Sequence, residues 1–218
     1  WVSLPGACGS TTMAPESGCL LIQFAREPVA GAVKTRMIPH LSAQAACDLH
    51  SELVLWTTRS LLNANLGPVQ LAVAGDATHP VFECCQQLGV ARLSQQRGAD
   101  LGERMYNALA DGLAEFEKVL LVGSDCPAID RKYLVQAVAG LEQSDIVLGP
   151  ASDGGYVLIG ARRVSARLFA GVAWGGAAVF DETTRRLRQL AWSWSELPVL
   201  PDIDRPEDLA VWAALRGS

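Results

Sequence analysis

Short continuous apolar runs alternate along the chain with longer stretches in which apolar residues recur at helical spacing. Runs of this kind are typical of strands that are covered on both faces, as in a largely parallel sheet. The predicted strands span 19–25, 69–75, 90–95, 118–124, 144–150 and 155–161. Because strands separated by helices form βαβ units, the pattern predicts an open α/β sheet.

Polar residues that can cap helices stand before several of the amphipathic stretches. Three of them are Ser42, Asp100 and Asp130,. A last helix is predicted to begin near Asp204, which forms a capping-box pattern with Glu207,.

The length of 218 residues suits one α/β domain,. We predict a single domain over residues 20–216, preceded by an N-terminal extension, residues 1–19, in which Met13 is a candidate natural start. The extension lacks the basic region and apolar run of a secretory signal, and no apolar run approaches the ~20 residues that span a bilayer. We therefore expect a cytoplasmic protein that does not associate with membranes.

The net charge of −5 argues against broad nucleic-acid binding, which usually requires a basic surface,. The six cysteines include no CxxC pair, so a structural zinc site is not expected,. An anionic ligand would have to be held locally by a few cations, backbone N–H groups or a metal.

The segment 26–36, REPVAGAVKTR, leaves the first predicted strand at the carboxyl end, where open α/β sheets bind ligands,. Pro28 and Gly31 force an irregular path that lets backbone N–H groups face an anion. Lys34 adds a mobile point charge, and Arg36 adds a planar fork suited to phosphate. The segment therefore predicts a phosphate-binding loop, although an ordinary basic turn has the same composition. Walker A and GxGxxG patterns are absent,.

Acidic residues follow two later segments of the chain. Asp125 comes directly after a predicted buried strand, and Asp202 and Asp204 stand two apart in an extended segment. Carboxylates that share a metal with a polyphosphate suit Mg²⁺, with Mn²⁺ as an alternative. Asp125 also fits a turn before Pro127, but its position at the end of a buried strand favours a role in the site. Asp204 also fits a helix cap, so Asp202 is the better ligand candidate of the C-terminal pair.

Two further segments supply weaker candidates. Asp153, in a glycine-rich turn, could orient an acceptor or touch the metal, or simply belong to the turn. Gly98 and Arg104 flank a predicted helix start, which favours an anion, although Arg104 could equally pair with a surface carboxylate.

Six segments in this order resemble a known family: PVAGAVKTRM, GADLGERM, GSDCP, SDGGYVLIG, LFAGVAW and DIDRPEDL. Together they are similar to the rSAM/selenodomain-associated transferase 1 family over about residues 20–210. Its members are often labelled glycosyltransferases, and it is related more distantly to 2-phospholactate and molybdenum-cofactor guanylyltransferases. The resemblance implies a GT-A type nucleotide-diphospho-sugar transferase fold, a three-layer α/β/α sandwich with a mostly parallel central sheet, and Mg²⁺ at the active site.

The resemblance also implies roles for individual residues. The nucleotide and its phosphates would be bound by Ala25, Arg26, Gly31, Lys34, Thr35, Arg36, Gly98 and Arg104. The metal ligands would be Asp125, Asp202 and Asp204, and the catalytic residues would be Lys34, Arg36, Asp125 and Asp153. The chain departs from the family pattern at Arg26, where lysine is usual, at the following Glu27, and at 175–176, where Gly-Gly replaces Ser-Thr.

Three functions fit these residues. The leading one is Mg²⁺-dependent nucleotidyl transfer from an NTP to a small phosphorylated acceptor, with the released pyrophosphate stabilised by Lys34 and Arg36. The second is glycosyl transfer from a nucleotide-diphosphate sugar, with Asp153 as the base for an acceptor hydroxyl. The third is a non-catalytic nucleotide-binding domain. The oligomeric state stays open, with a homodimer among the options.

Overall fold

The computed structural model describes residues 16–38 and 40–217. The strands are β1 (Glu16–Arg26), β2 (Val69–Ala74), β3 (Arg92–Gln95), β4 (Phe116–Gly123), β5 (Ile146–Pro150), β6 (Tyr156–Ala161) and β7 (Trp194–Glu196). The α-helices are α1 (Ala43–Ala64), α2 (Pro80–Leu88), α3 (Leu101–Glu115), α4 (Arg131–Leu141), α5 (Val179–Gln189) and α6 (Leu209–Arg216). β1 begins inside the segment predicted as an extension, and the remainder of that segment, residues 1–15 with Met13, lies outside the described residues.

The strands form one seven-stranded sheet in the order β3-β2-β1-β4-β6-β5-β7. Four neighbouring pairs are parallel: β1 with β2, β1 with β4, β2 with β3, and β5 with β7. β6 runs antiparallel between β4 and β5. The prediction of a mostly parallel sheet is confirmed, and the reversed strand is the one entered through the glycine-rich turn before Tyr156.

Helices cover both faces of this sheet, which confirms the three-layer architecture. Alternate residues of β1 point to opposite faces, with Leu21 packed among side chains of α1, α2 and α4, and Ile22 among side chains of α3 and α5,. A smaller cluster joins α6 to α1 through Trp212 and Leu53, together with the buried Ile203. No helix in the described part of the chain is long and apolar enough to cross a bilayer.

The predicted N-caps of three helices are confirmed. The side chains of Ser42, Asp100 and Asp130 each accept the backbone N–H three residues further on,. The capping-box prediction for Asp204 and Glu207 is wrong, because Asp208 accepts the backbone N–H groups of both Asp204 and Arg205, at 2.9 and 2.7 Å. Since Asp208 does the capping, the side chain of Asp204 is free for another role.

Candidate active site

The loop after β1 turns sharply at two points. The carbonyl of Val29 accepts the N–H groups of Ala32 and Val33, and Gly31 takes a φ of 82°, which glycine adopts at little cost,. Lys34 also has a positive φ, 50°, which is uncommon for a residue with a side chain,. This backbone path turns the lysine inward, immediately before a short 3₁₀ helix, Thr35–Met37.

Lys34 is an interior cation with two fixed partners. Its Nζ lies 2.7 Å from Asp125 Oδ1 and also donates to the carbonyl of Ile203, and its side chain is 3% exposed. The expectation of a mobile point charge is therefore wrong. A buried ammonium is stable only with compensating partners, and these two partners join the first loop to both acidic segments.

Asp125 is the other half of this ion pair. Its Oδ1 is buried, while 49% of the side chain is exposed, so the exposure falls on the rest of the carboxylate end. Burial acts to raise the pKa of Asp125, but Lys34, His50 and Arg26 together hold that pKa below its usual value,. The group therefore stays ionised and presents negative charge to the cleft.

A buried polar network fixes the end of β4 from behind. The side-chain Nε2–H of Gln23 donates a hydrogen bond to Ser124 Oγ at 2.9 Å, and the Ser124 hydroxyl donates to the carbonyl of Phe24 at 2.7 Å. Thr58 donates to Gln23 Oε1 at 2.8 Å. Because buried polar groups are costly when unpaired, this network holds the residue before Asp125 in one position.

His50 is a site residue that the sequence analysis missed. Its Nε2–H donates to the carbonyl of Arg26 at 2.9 Å, and its Nδ1 lies 4.0 Å from Asp125 Oδ1. Burial lowers the pKa of His50, against the opposing effect of Asp125. The only local signal is a histidine among the apolar positions of the inner face of α1.

Ile203 holds the second acidic segment against β4. Its N–H donates to the carbonyl of Asp125 at 2.8 Å, and its side chain is fully buried. Alternation along this segment leaves Asp202 and Asp204 on the cleft side. Asp204 Oδ2 accepts from Arg36 Nη1 at 2.5 Å, so Asp204 of the predicted acidic pair does meet the first loop.

Asp202 is in a strained electrostatic position. Burial raises its pKa, and the charges of Asp153, Asp204 and Asp125 raise it further,. Each of these neighbours is a carboxylate, so ionised Asp202 is held near like charges. Such an arrangement costs stability and is expected where a cation is to be bound.

A cavity of about 610 Å³, here called the cationic chamber, opens beside this cluster. Six of the predicted nucleotide-binding residues line it: Ala25, Arg26, Lys34, Thr35, Arg36 and Arg104. Among residues 16–38 and 40–217, neither Arg26 nor Arg104 has a carboxylate within ion-pairing distance. These two guanidinium groups are therefore available to an anion.

Gly31 and Gly98 are not among the residues that line the cationic chamber, so the structure does not bring them to its wall. Both shape the backbone instead. Gly98 has a φ of 144°, and a Cβ there would lie 2.7 Å from the backbone nitrogen of Arg104. Gly98 thus allows the loop to pass close to the start of α3, and its carbonyl accepts from Arg104 Nε at 3.2 Å.

A second cavity of about 330 Å³, the acidic chamber, adjoins the first. Its wall contains four carboxylates, those of Asp125, Asp153, Asp202 and Asp204. Asp125 and Asp204 also line the cationic chamber, so they stand at the boundary between the two. Tyr156 and Trp174 also line it, and their rings meet edge to face with centroids 6.5 Å apart.

The carboxylates suit a hard divalent cation, although no ready-made cage is present. Within the described ranges, no group of three or more His, Cys, Asp or Glu side chains is placed to hold a metal ion. Mg²⁺ usually keeps several waters and binds through one or two carboxylates together with substrate phosphates. Asp125, at the boundary with the cation-lined chamber, and Asp202, in the acidic chamber, fit that mode of binding and are the candidate ligands.

Glu27, a departure from the family pattern, does not place its charge among the phosphate-loop cations. Its Oε2 accepts the N–H of Asp76 at 2.8 Å, in the connection after β2. The carboxylate is therefore held away from the cationic chamber, whose wall does not include it.

The chain matches a family model described as "Uncharacterized protein conserved in bacteria (DUF2064)" over residues 57–176, more than half of its length. The chain belongs to the DUF2064 family. This DUF2064 protein is 32% identical to a "putative nucleotide-diphospho-sugar transferase" from Desulfovibrio desulfuricans G20, with a TM-score of 0.80 over 91% of this chain and 87% of that chain. The match confirms the family resemblance and the fold predicted from the sequence.

A curated relative of this DUF2064 protein is the 2-phospho-L-lactate guanylyltransferase of Methanothermobacter thermautotrophicus. The two are 26% identical over 122 residues, which is 56% of this chain and 53% of the relative, so the match spans about half of the relative's length. A synthase of 4-diphosphocytidyl-2C-methyl-D-erythritol from Anaerococcus prevotii shares the fold at 10% identity, with a TM-score of 0.59 over 93% of this chain and 97% of that chain. These relatives are nucleotidyl or nucleotide-sugar transferases.

Gly154 closes the turn that carries Asp153, and replacing it by alanine should destabilise the protein. Its φ is 89°, and an added Cβ would lie 2.1 Å from the carbonyl oxygen of Ala177. We expect a loss of about 2–4 kcal/mol in the free energy of unfolding, measured by denaturant titration. Gly171→Ala is the matched control, since its φ is 69° with no neighbour within 4 Å, and should cost only about 1 kcal/mol,. Equal losses in the two variants would contradict the close contact.

Proposed function

We propose that this protein transfers a group from a nucleotide-activated donor to a small acceptor, with a divalent metal at the boundary of the two chambers. The observation that carries the proposal is the Lys34–Asp125 ion pair, where the cationic loop meets the carboxylate cluster. A polyphosphate needs cations along its length, and the cationic chamber supplies Arg26, Arg36 and Arg104,.

The leading form is nucleotidyl transfer from an NTP with release of pyrophosphate. The names of the relatives support this class of reaction. Asp125 and Asp202 would hold Mg²⁺ or Mn²⁺, which when bound supplies charge neutralisation for the phosphates. The residues of this chain would position the donor, with Arg36 and Lys34 stabilising the negative charge that grows on the leaving pyrophosphate.

Glycosyl transfer from a nucleotide-diphosphate sugar is the second candidate. It is favoured by the name of the Desulfovibrio relative and by Asp153. Oδ1 of Asp153 accepts the N–H of Gly155 at 2.9 Å, and within the described residues no hydrogen bond occupies its Oδ2, the oxygen that would act as the base,. In this form the same cations would stabilise the leaving nucleoside diphosphate.

Product analysis separates the two forms. The protein is first screened by thermal shift with NTPs and nucleotide-diphosphate sugars, with and without Mg²⁺, because a ligand that binds the folded state raises Tm. We expect a metal-dependent shift, followed by pyrophosphate release from an NTP. Release of a nucleoside diphosphate from a sugar donor would indicate the second form, and binding without turnover would indicate a nucleotide-binding domain. No metal-dependent shift with either donor class would contradict the proposal.

A further inference from the structure

The wall of the acidic chamber contains no cationic side chain. None of the 18 Lys and Arg residues is among its lining residues, and all 18 fall within residues 16–38 and 40–217. A phosphomonoester carries nearly two negative charges at neutral pH and normally meets Arg, Lys or a helix N-terminus. The wall instead offers carboxylates and aromatic rings. The N-termini of α3 and α5 also reach it, at Leu101 and Val179, but their N–H groups are partly taken up within the protein. Asp100 caps α3, and the N–H groups of Val179 and Phe180 donate to the carbonyls of Gly176 and Gly154.

We propose that the acidic chamber binds a neutral or cationic acceptor, one that presents hydroxyl or ammonium groups, and rejects phosphorylated acceptors. The proposal rests on the proposed function in that the acceptor lies beside the nucleotide, and it replaces the phosphorylated acceptor expected from the sequence. Carboxylates accept hydrogen bonds from hydroxyl and ammonium groups, whereas a phosphate placed beside them is repelled by the like charge.

The four carboxylates differ in how they are compensated. Asp125 pairs with Lys34 and Asp204 pairs with Arg36, so two of the negative charges are already balanced. Asp153 and Asp202 have no cationic side chain within ion-pairing distance in the described part of the chain. A metal on Asp125 and Asp202 would leave Asp153 as the one of these four carboxylates with neither a metal nor a cationic side chain as its partner.

Arg36 is a cation close to the acidic chamber, although it is not among the residues of that chamber's wall. The charge of Arg36 interacts with those of Asp153 and Asp202. However, its Nη1 donates to Asp204 Oδ2 at 2.5 Å, and the side chain lines the cationic chamber. Arg36 is therefore placed to bind the phosphates of the nucleotide donor in the cationic chamber, not an acceptor in the acidic chamber.

The aromatic side of the chamber favours the same acceptor class. The Trp174 ring stacks on Phe169 with centroids 6.3 Å apart, and a Cβ on Gly102 would lie 2.7 Å from its Nε1, so the indole is fixed in place. Aromatic faces attract cations and the C–H face of a polyol, and repel anions. Next to the Trp174 ring, Gly175 and Gly176 contribute only backbone to the chamber wall.

The local charge can be measured without knowing the acceptor or the donor. Gly176→Cys places a thiol at the wall, where a Cβ has only the Ala173 carbonyl oxygen nearby, at 3.4 Å. The metal-free variant is treated with methanethiosulfonates of similar size, one carrying trimethylammonium and one carrying sulfonate, and modification is followed by peptide mass spectrometry. The exposed Cys84 of α2 is the internal reference.

We expect the ratio of cationic to anionic modification rates to be about tenfold higher at the introduced thiol than at Cys84. Adding Asp153→Asn and Asp202→Asn should reduce this excess. A ratio equal to or below that at Cys84 would overturn the proposal, even if the protein turns over a nucleotide donor. Conversely, a failure to bind nucleotide donors together with a high ratio would overturn the proposed function while leaving the chamber's selectivity intact.

Acceptor selectivity gives a second, direct test once a donor is known. Glycerol and glucosamine are compared with glycerol 3-phosphate and glucosamine 6-phosphate, and the initial rate of donor consumption is measured. We expect the unphosphorylated member of each pair to stimulate at least ~10-fold more, and stimulation by the phosphomonoester that is equal or greater would overturn the proposal. Gly176→Lys, which adds a cation to the chamber wall, should reduce the difference in rate between the unphosphorylated and phosphorylated acceptors. Val199→Lys, at an exposed position outside the chamber wall, should leave that difference unchanged.

Discussion

Replacing Lys34 by methionine is expected to lower turnover by about 10²–10³-fold, the loss seen when one preorganised donor to a developing negative charge is removed. The reason is that Lys34 lines the cationic chamber and its Nζ lies 2.7 Å from the Oδ1 of Asp125, which stands at the boundary of the two chambers. The variant should also lose about 2 kcal/mol of stability, because Asp125 Oδ1 is left buried without its counter-charge,. For a chain of this length, that corresponds to a fall in Tm of about 4–8 °C.

A double-mutant cycle separates the two roles of Lys34. Adding Asp125→Asn to Lys34→Met should restore much of the stability lost in the single variant, because the unpaired charge is gone. The double variant should not regain activity. The control is Lys118→Met, which breaks an ion pair with the exposed Glu142 away from the site and should cost less than about 1 kcal/mol with turnover unchanged,. Full activity in Lys34→Met would refute the assignment of this lysine to the site.

Asp202→Asn is expected to raise Tm of the metal-free protein by about 2–4 °C while lowering turnover by at least ~10²-fold. The pKa of Asp202 is raised by burial and by the neighbouring Asp153, Asp204 and Asp125, so its ionised form is disfavoured in the folded state. The resulting penalty is present above the folded-state pKa and is relieved as the pH falls through it towards the unfolded value. Asparagine removes the charge and with it the penalty.

A gain in stability together with a loss of turnover in Asp202→Asn is expected if the carboxylate of Asp202 binds a ligand. The stabilisation should be greatest near neutral pH, where Asp202 of the wild type is ionised, and should shrink in acid, where its carboxyl is protonated. Adding Mg²⁺ should reverse the order of the two proteins, because only the wild type retains the carboxylate. The comparison is made by thermal unfolding of both proteins across pH with and without Mg²⁺, and a lower Tm for the metal-free variant would contradict this account of Asp202.

Much of the fold follows from local pattern. The alternation of apolar runs with capped amphipathic stretches predicts six of the seven strands and the start of α1, α3 and α4, because these depend on neighbouring residues,. The short α2 was not predicted, since its first turn is initiated by Pro80 after a histidine cap rather than by a Ser, Thr, Asp or Asn cap.

The sequence predicts which residues form much of the candidate site, but not most of the contacts among them. Asp202 and Asp204 stand two apart in extended chain, so their shared direction around Ile203 follows from strand periodicity,. The burial of Lys34 does not, because its partners, Asp125 and the Ile203 carbonyl, come from distant segments. The role of His50 is hidden for the same reason, since a helical histidine gives no local sign of the Arg26 carbonyl that it meets.

A crystal structure with a bound NTP and Mn²⁺, in which anomalous scattering locates the metal, shows whether the carboxylates and the cations act on one ligand. We expect one anomalous peak in coordinating contact with the carboxylates of Asp125 and Asp202, and a polyphosphate in the cationic chamber within hydrogen-bonding reach of Arg36. A nucleotide bound with its metal away from both carboxylates, or with its phosphates outside the cationic chamber, would contradict this expectation.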